Sequence, residues 1–495
     1  MGHHLITEVK DEKFEFTGRM KAVLGAVFVI GLILTFIGIG QIKTDDHGEA
    51  APTEEAAEHS SVESDIPVHA VSMQDGHGEH AEEAHTDEAH GEEAHGEEAH
   101  ADEAHVDAHG DEHHAEEGHT GGHADAHHGG WLTRLWANLL LNSYYFLLFA
   151  VAAVFFIAVN YAANAGWATL IKRVIESVSS WLPIGILSML AVLFFGKDHL
   201  YHWIEYMDQQ LNPGDAGYDK ILASKDWFLN KGWFLVGVPL IMIIWFTFRT
   251  VLVRLSHKED EQGGLSFFKK SITYSAAFLV VFAFSFSMFS WLVMMSLDPH
   301  WFSTIYSVYN FAIAFVTGLT VICFFVLYLK SKGYMEIVSD EVIHDLGKFM
   351  FAFSIFWAYI WLAQFLLIWY ANISEEGIYY TARLTPHFKP MFRINLVMNF
   401  FLPFLILMMR NAKRHPKVLL VAGTIILAGH WLDLFLMIMP GTVGEAAEIG
   451  VLEIGMTMAF AGLFIFWVLN NLSKKNLYAK NHPYLLESAN HDVGV

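Results

Sequence analysis

Ten apolar runs, each about twenty residues long, leave this chain little choice of fold. A helix needs roughly that length to cross about 30 Å of hydrocarbon, and only a helix or a closed barrel satisfies its own backbone there. The runs fall at 20–42 and at about 140–162, 175–196, 233–254, 272–296, 305–329, 349–371, 392–409, 417–439 and 451–471. Short polar links between the later runs place successive helices antiparallel. The expected fold is therefore all-α, a polytopic membrane protein of ten transmembrane helices. Helices two to five (131–300) and six to nine (301–440) are expected to group as two four-helix bundles. The first helix (within 1–42) and the tenth with its tail (441–495) flank them. Only 17% of residues are charged, against about 25% in a soluble domain. The first run has too long an apolar core for a signal peptide, and no small-residue cleavage site follows it.

The formal net charge of −23 is at odds with a lipid environment until it is located. Residues 43–130 hold 26 Asp and Glu and one Lys, and the other 407 residues carry a net charge of +2. This insert repeats a five-residue unit five times from Glu82 to Val106 (EEAHT, DEAHG, EEAHG, EEAHA, DEAHV) and contains 17 of the 29 histidines. A period of five fits neither a helix face nor a strand, and large apolar residues are almost absent, so disorder is expected. A solvated spacer is the simpler reading. Metal scavenging or proton buffering by its imidazoles is the functional one, weakened because nothing fixes a ligand geometry. The near-neutral remainder offers no basic face to nucleic acid.

The one cysteine, Cys323, lies within an apolar run. That excludes an intrachain disulfide, CxxCH-bound haem and a cysteine-held iron–sulfur or zinc centre. A bis-His haem needs two facing histidines, and only His430 falls well inside a run. No covalently bound cofactor and no metal is expected, so electrons would pass through a diffusible cofactor or partner subunits.

With a cytoplasmic N-terminus, 21 of the 30 Lys and Arg fall on inside segments, as the positive-inside rule requires. Both termini are then cytoplasmic and the His-rich insert is outside. In that orientation the ionisable residues gather toward the outer side. Asp198, His199, His202 and Glu205 follow the third helix, Asp298 and His300 follow the fifth, and Glu453 begins the tenth. His430 and Asp433, spaced i,i+3, stack within the apolar ninth helix, and Asp198 and His202, spaced i,i+4, share a face if the third helix continues that far. A carboxylate beside an imidazole can pass a proton near neutral pH. Burying an acid in lipid is costly, which favours function for Asp433 and His430. His344, His387 and His415 read more simply as structural side chains. Gln364 and Tyr359 on the seventh helix, with hydroxyls such as Ser285 and Thr317, would extend a water chain or equally serve helix packing.

The two bundles meet at Trp291–Tyr306, WLVMMSLDPHWFSTIY, where Pro299 forces one helix to stop. Asp298 reads either as the N-cap of the next helix, with Pro299 in its first turn, or as a functional acid at the membrane interface. The fifth helix ends LVMMSLDP (Leu292–Pro299) and the ninth LFLMIMPG (Leu434–Gly441), a faint echo of an internal repeat.

Two blocks carry a resemblance: SLDPHWFSTIYSVY at 296–309 and HDLGKFMFAFSIFWAYIWLAQFLLIWYANISEE at 344–376. They resemble the NrfD-like membrane subunits of bacterial alternative complex III, a quinol:cytochrome c oxidoreductase, over roughly residues 131–475. The first helix and its long acidic insert look more like the second, more remote copy of the two in such complexes. Ser374 departs from the resemblance, since a proline commonly precedes the two glutamates. The resemblance implies a bacterial inner membrane and a quinol substrate, menaquinol or another. It implies partners that carry iron–sulfur clusters and c haems: an iron–sulfur protein, multihaem and monohaem cytochromes c, the paralogous subunit and, in some assemblies, a terminal oxidase. It also implies proton movement through the bundles. Asp198, His199, His202 and Glu205 would be the quinol-site residues, and Asp298, His300, His430, Asp433, Gln364, Tyr359 and Glu453 the proton path. A metal or ion transporter, suggested by the His-rich insert, and a purely structural scaffold are the alternatives. Transporter ligands are expected at broken helices near midplane, whereas the ionisable residues here collect at one side.

Overall fold

The computed structural model describes residues 6–48 and 130–491, and the acidic His-rich repeat lies outside the described residues. Ten helices are long and apolar enough to cross a membrane. They are α1 (Gly18–Lys43), α2 (Trp131–Ala162), α3 (Thr169–Leu200), α4 (Trp233–Gln262), α5 (Leu265–Leu297), α6 (Tyr306–Ser331), α7 (Asp340–Ala371), α8 (Lys389–Leu407), α9 (Pro416–Thr442) and α10 (Val451–Leu472). The protein is thus an all-α polytopic membrane protein. Several helices extend beyond their apolar runs because polar turns continue them. The Ser339 hydroxyl caps α7 by accepting from Val342 N at 3.4 Å, with Asp340 and Glu341 in the first turn, where the helix dipole favours acid.

Helix α2 packs on α3 and α5, α3 on α4, and α4 on α5, which closes one group of four. Helix α6 packs on α7 and α9, α7 on α8, and α8 on α9, which closes a second. The groups meet through α2, which also contacts α6 and α9. There the Tyr144 hydroxyl donates to Asn310 Oδ1 at 2.8 Å and the Tyr145 hydroxyl to the Leu427 carbonyl at 2.7 Å. Helix α1 lies along α10 on small residues. A Cβ on Gly31 would fall 2.4 Å from Ala459 N, and one on Gly455 2.6 Å from Thr35 N, so only glycine permits this approach. Leu187, Val280 and Phe284 point outward from the spans and stay exposed, as side chains facing lipid do.

Residues 6–17 and the tail after α10 share one face of the molecule, called here the termini face. Leu477 N donates to the Glu12 carbonyl at 2.8 Å, and Asn490 Nδ2 to the Ile6 carbonyl at 2.9 Å. Linkers 201–232, 298–305, 372–388 and 443–450 lie at the opposite, far face. Two local expectations are corrected there. Helix α6 begins at Tyr306, so Asp298 is not its N-cap; residues 298–305 form a separate linker. Helix α3 does not continue through His202 either. It loosens into a π-helical turn at Val192–Gly196 and breaks at Tyr201 (φ −120, ψ 82), whose buried hydroxyl reaches the Val293 carbonyl at 2.9 Å.

Candidate functional site

Asp433 lies on α9, nine residues before Thr442 and so ~14 Å along the axis from the far end. Its side chain is 2% exposed. Oδ1 accepts from the Tyr309 hydroxyl at 2.5 Å and from Asn395 Nδ2 at 2.8 Å, and Oδ2 accepts from Trp357 Nε1 at 2.9 Å. These donors come from α6, α8 and α7, so one carboxyl group joins all four helices of the second bundle. A buried carboxylate is costly in lipid, and three donors are what make it tolerable. A π-helical turn at Val397–Phe401 brings Asn399 round so that its Nδ2 donates to Asn395 Oδ1 at 2.6 Å. Such turns recur at functional sites. His430 stacks one turn away as its i,i+3 spacing predicts, yet Nδ1 is 3.8 Å from Asp433 Oδ2, beyond a hydrogen bond. Both its ring nitrogens are buried without a hydrogen-bond partner among the described residues, and the ring meets Trp357 edge-on at 5.4 Å.

A cavity of about 20 Å³ opens beside Asp433, bounded by Tyr309, Gln364, Tyr380, Arg383 and Asn395. That is room for one water molecule among several polar partners. Gln364 Nε2 donates to the Tyr380 hydroxyl at 3.2 Å, while Oε1 is buried and unpartnered. Helix Ser374–Arg383, in the linker between α7 and α8, brings Arg383 to the far end of the cavity. Arg383 Nη2 donates to Asp298 Oδ2 and to the Met437 carbonyl at 2.8 and 2.9 Å, and Nε to the Leu436 carbonyl at 2.8 Å. The guanidinium sits 3.4 Å above the Tyr379 ring, which stacks on Trp301 at 4.0 Å. Burial pushes the Tyr379 phenol up to about 12, against the pull of the Arg383 cation, so Tyr379 stays neutral at working pH. The Asp298 side chain, 17% exposed, ends the series toward the far face. Gly441 leaves room for this carboxylate: a Cβ there would lie 2.7 Å from Asp298 Oδ1 and would push the side chain aside.

The polar series thus runs from Asp433 through a water-sized cavity to Arg383 and Asp298. It brings together Asp298, Asp433 and Gln364, with His430 alongside. It does not include the other expected residues. His300 turns away from Asp298 and pairs with Asp219, the N-cap of Lys220–Lys225. Burial raises the Asp219 carboxyl, but the Leu222 N–H and His300 outweigh it and hold the group low. Tyr359 is 66% exposed, because five residues place it ~140° around α7 from Gln364. Glu453 is fully buried away from the cavity, where Arg134 Nε and Asn138 Nδ2 each reach Oε1 at 2.9 Å and fasten α2 to α10. Asp198 is exposed and paired with Lys197, Glu205 is exposed, and the break at Tyr201 puts Asp198 and His199 on a different helix from His202. The four therefore sit on two successive short helices rather than on one helix face.

Tyr309, Trp357, Arg383 and Asn395 were not singled out from sequence. The i,i+4 spacing of Arg383 from Tyr379 is the one local signal in the sequence for this pair. A second polar cluster was also missed. Lys172 and Arg173, which read as topology signals, are buried near the termini face. Lys172 Nζ lies 3.3 Å from Glu259 Oε2, and Arg173 pairs with Glu176 and Asp260. Among the described residues no group of three or more His, Cys, Asp or Glu could hold a metal. Comparison with known proteins adds no identity: the chain matches no family model and no curated protein.

Proposed function

We infer that this chain is an integral membrane subunit of a quinol-oxidising respiratory complex, and that its second bundle moves protons between the membrane interior and the far face. The observation that carries the proton reading is Asp433, a buried acid opening onto a water-sized cavity that ends at the Arg383–Asp298 pair. In this reading Asp433 takes and releases the proton, and the cavity water, with Gln364 and the Tyr380 hydroxyl, carries it outward. Arg383 cannot give up its own proton. Its role is to hold Asp298 in place as the exit carboxylate. The redox part rests on the resemblance of residues 296–309 and 344–376 to alternative complex III subunits, and electrons would travel through iron–sulfur and c-haem partners. The termini face is then cytoplasmic and the far face periplasmic, in a bacterial inner membrane.

A purely scaffolding role draws on the same hydrogen bonds, since Asp433 ties four helices together. Purification of the full chain from its native membranes in mild detergent tests the assembly. A c-haem spectrum and an iron–sulfur protein should accompany it, and a chain that purifies alone overturns the reading.

A further inference from the structure

Between α1 and α10 on one side and α2, α6 and α9 on the other runs a groove of about 890 Å³. Pockets of this size enclose whole ligands. It follows α10 from Ile454 to Leu469, ~22 Å at 1.5 Å per residue. Helix α1 leaves this space open because its close glycine contacts draw it onto α10. The walls belong to membrane spans and are apolar, among them Val23, Phe149, Phe325, Ala428, Ala461 and Phe464.

The hydroxyls lining the groove are largely engaged. Tyr145 donates to the Leu427 carbonyl, and the Thr457 hydroxyl to the Glu453 carbonyl at 2.8 Å and to Asn142 Oδ1 at 2.9 Å. Tyr328 reaches only the sulfur of Met20, at 3.6 Å. The Trp431 N–H is buried and has no partner among the described residues. At the termini-face mouth stands Arg19, exposed, with no ion pair among the described residues. Lys332 sits 5.9 Å over the ring of Tyr328, which lines the same mouth.

We propose that this groove is a phospholipid site, with an acyl chain seated between α1 and the second bundle and the lipid's anionic phosphate on Arg19. A polar headgroup inside the groove would lose its hydration and find only the Trp431 N–H among the described residues, whereas an acyl chain has nothing to lose. An empty groove would forfeit the dispersion contacts of its walls. At the mouth the chemistry reverses, since a planar guanidinium matches two phosphate oxygens. The apolar depth and the cationic mouth together match a lipid with an anionic head.

The test places the full chain in nanodiscs of equal phosphatidylglycerol and phosphatidylcholine and reads retained lipid by native mass spectrometry after release into detergent. Wild-type protein should retain phospholipid, with phosphatidylglycerol preferred. Arg19→Glu should cut that preference by about fivefold, the scale of one surface cation. Ala428→Phe, at an exposed position on the groove wall, should lower retention of either lipid. If this variant does not fold, the headgroup preference in Arg19→Glu still decides. A phosphatidylglycerol preference unchanged in Arg19→Glu overturns the proposal. So does wild-type protein that carries from native membranes a quinone or a small helical subunit in the groove and no phospholipid.

Discussion

Arg383 ties together three segments at the second bundle's far end. It is 2% exposed and donates to Asp298, to the Leu436 and Met437 carbonyls of α9 and to the Tyr379 carbonyl. Removing it leaves a mostly buried carboxylate unpaired and helix carbonyls without donors. Arg383→Ala should therefore cost about 3–5 kcal/mol, read as a lower thermal midpoint of the purified protein in detergent. Asp298→Asn keeps an acceptor for the guanidinium at similar volume and should cost clearly less. Equal losses in the two variants would mean that the pair's charge, not Arg383's bonds to α9, holds this end. Asp433 and Arg383 both border the cavity, but only the carboxyl group can gain and lose a proton, which is the reason to assign it the exchange.

At the scale of elements, the C-terminal tail is fastened to the termini face by an imidazole kept neutral. His482 lies among the rings of Tyr161, Phe268 and Tyr484. Burial first, then the nearby Lys172 cation, lowers its pKa from 6.5 to about 3. Between those values the unfolded chain binds a proton that the folded chain refuses. The stability is complete above pH 6.5 and is lost as pH falls, by about 2 kcal/mol at pH 5. Thermal midpoints recorded from pH 7.5 to 5 should show this slope in wild type and a flatter one in His482→Gln; equal slopes would contradict it. Helix α8 shows a second element-scale device. It carries a π-helical turn at Val397–Phe401, and its Asn395 and Asn399, spaced i,i+4, join so that Asn399 donates to Asn395 and Asn395 to Asp433.

At the scale of the whole molecule, the Cys323 thiol is buried, so introduced cysteines can report orientation cleanly. A membrane-impermeant maleimide applied to intact cells or spheroplasts should label Ala216→Cys on the far face and spare Glu261→Cys on the termini face; the opposite pattern inverts the orientation. The ten spans were legible in the sequence because twenty-residue apolar runs have few other uses. The helix ends were less so, since capping turns such as Ser339–Glu341 lie outside the apolar signal. Asp433 was legible as an acid in an apolar run, but its donors were not. Tyr309, Trp357 and Asn395 come from three other helices, and nothing in local spacing records which faces meet. Asp298 and His300 are neighbours in sequence, yet they part to Arg383 and Asp219, partners 85 and 81 residues away. In the proposed function Asp433 exchanges protons with the far face by way of Asp298. Its most direct test is proton release per electron and turnover in membrane vesicles carrying Asp433→Asn, with Asp298→Asn beside it and the abundance of the assembled complex as control. If Asp433 relays protons, the complex assembles but releases fewer protons per electron, or turns over more slowly where the path is obligatory; unchanged stoichiometry and turnover in both variants would leave Asp433 a structural acid only.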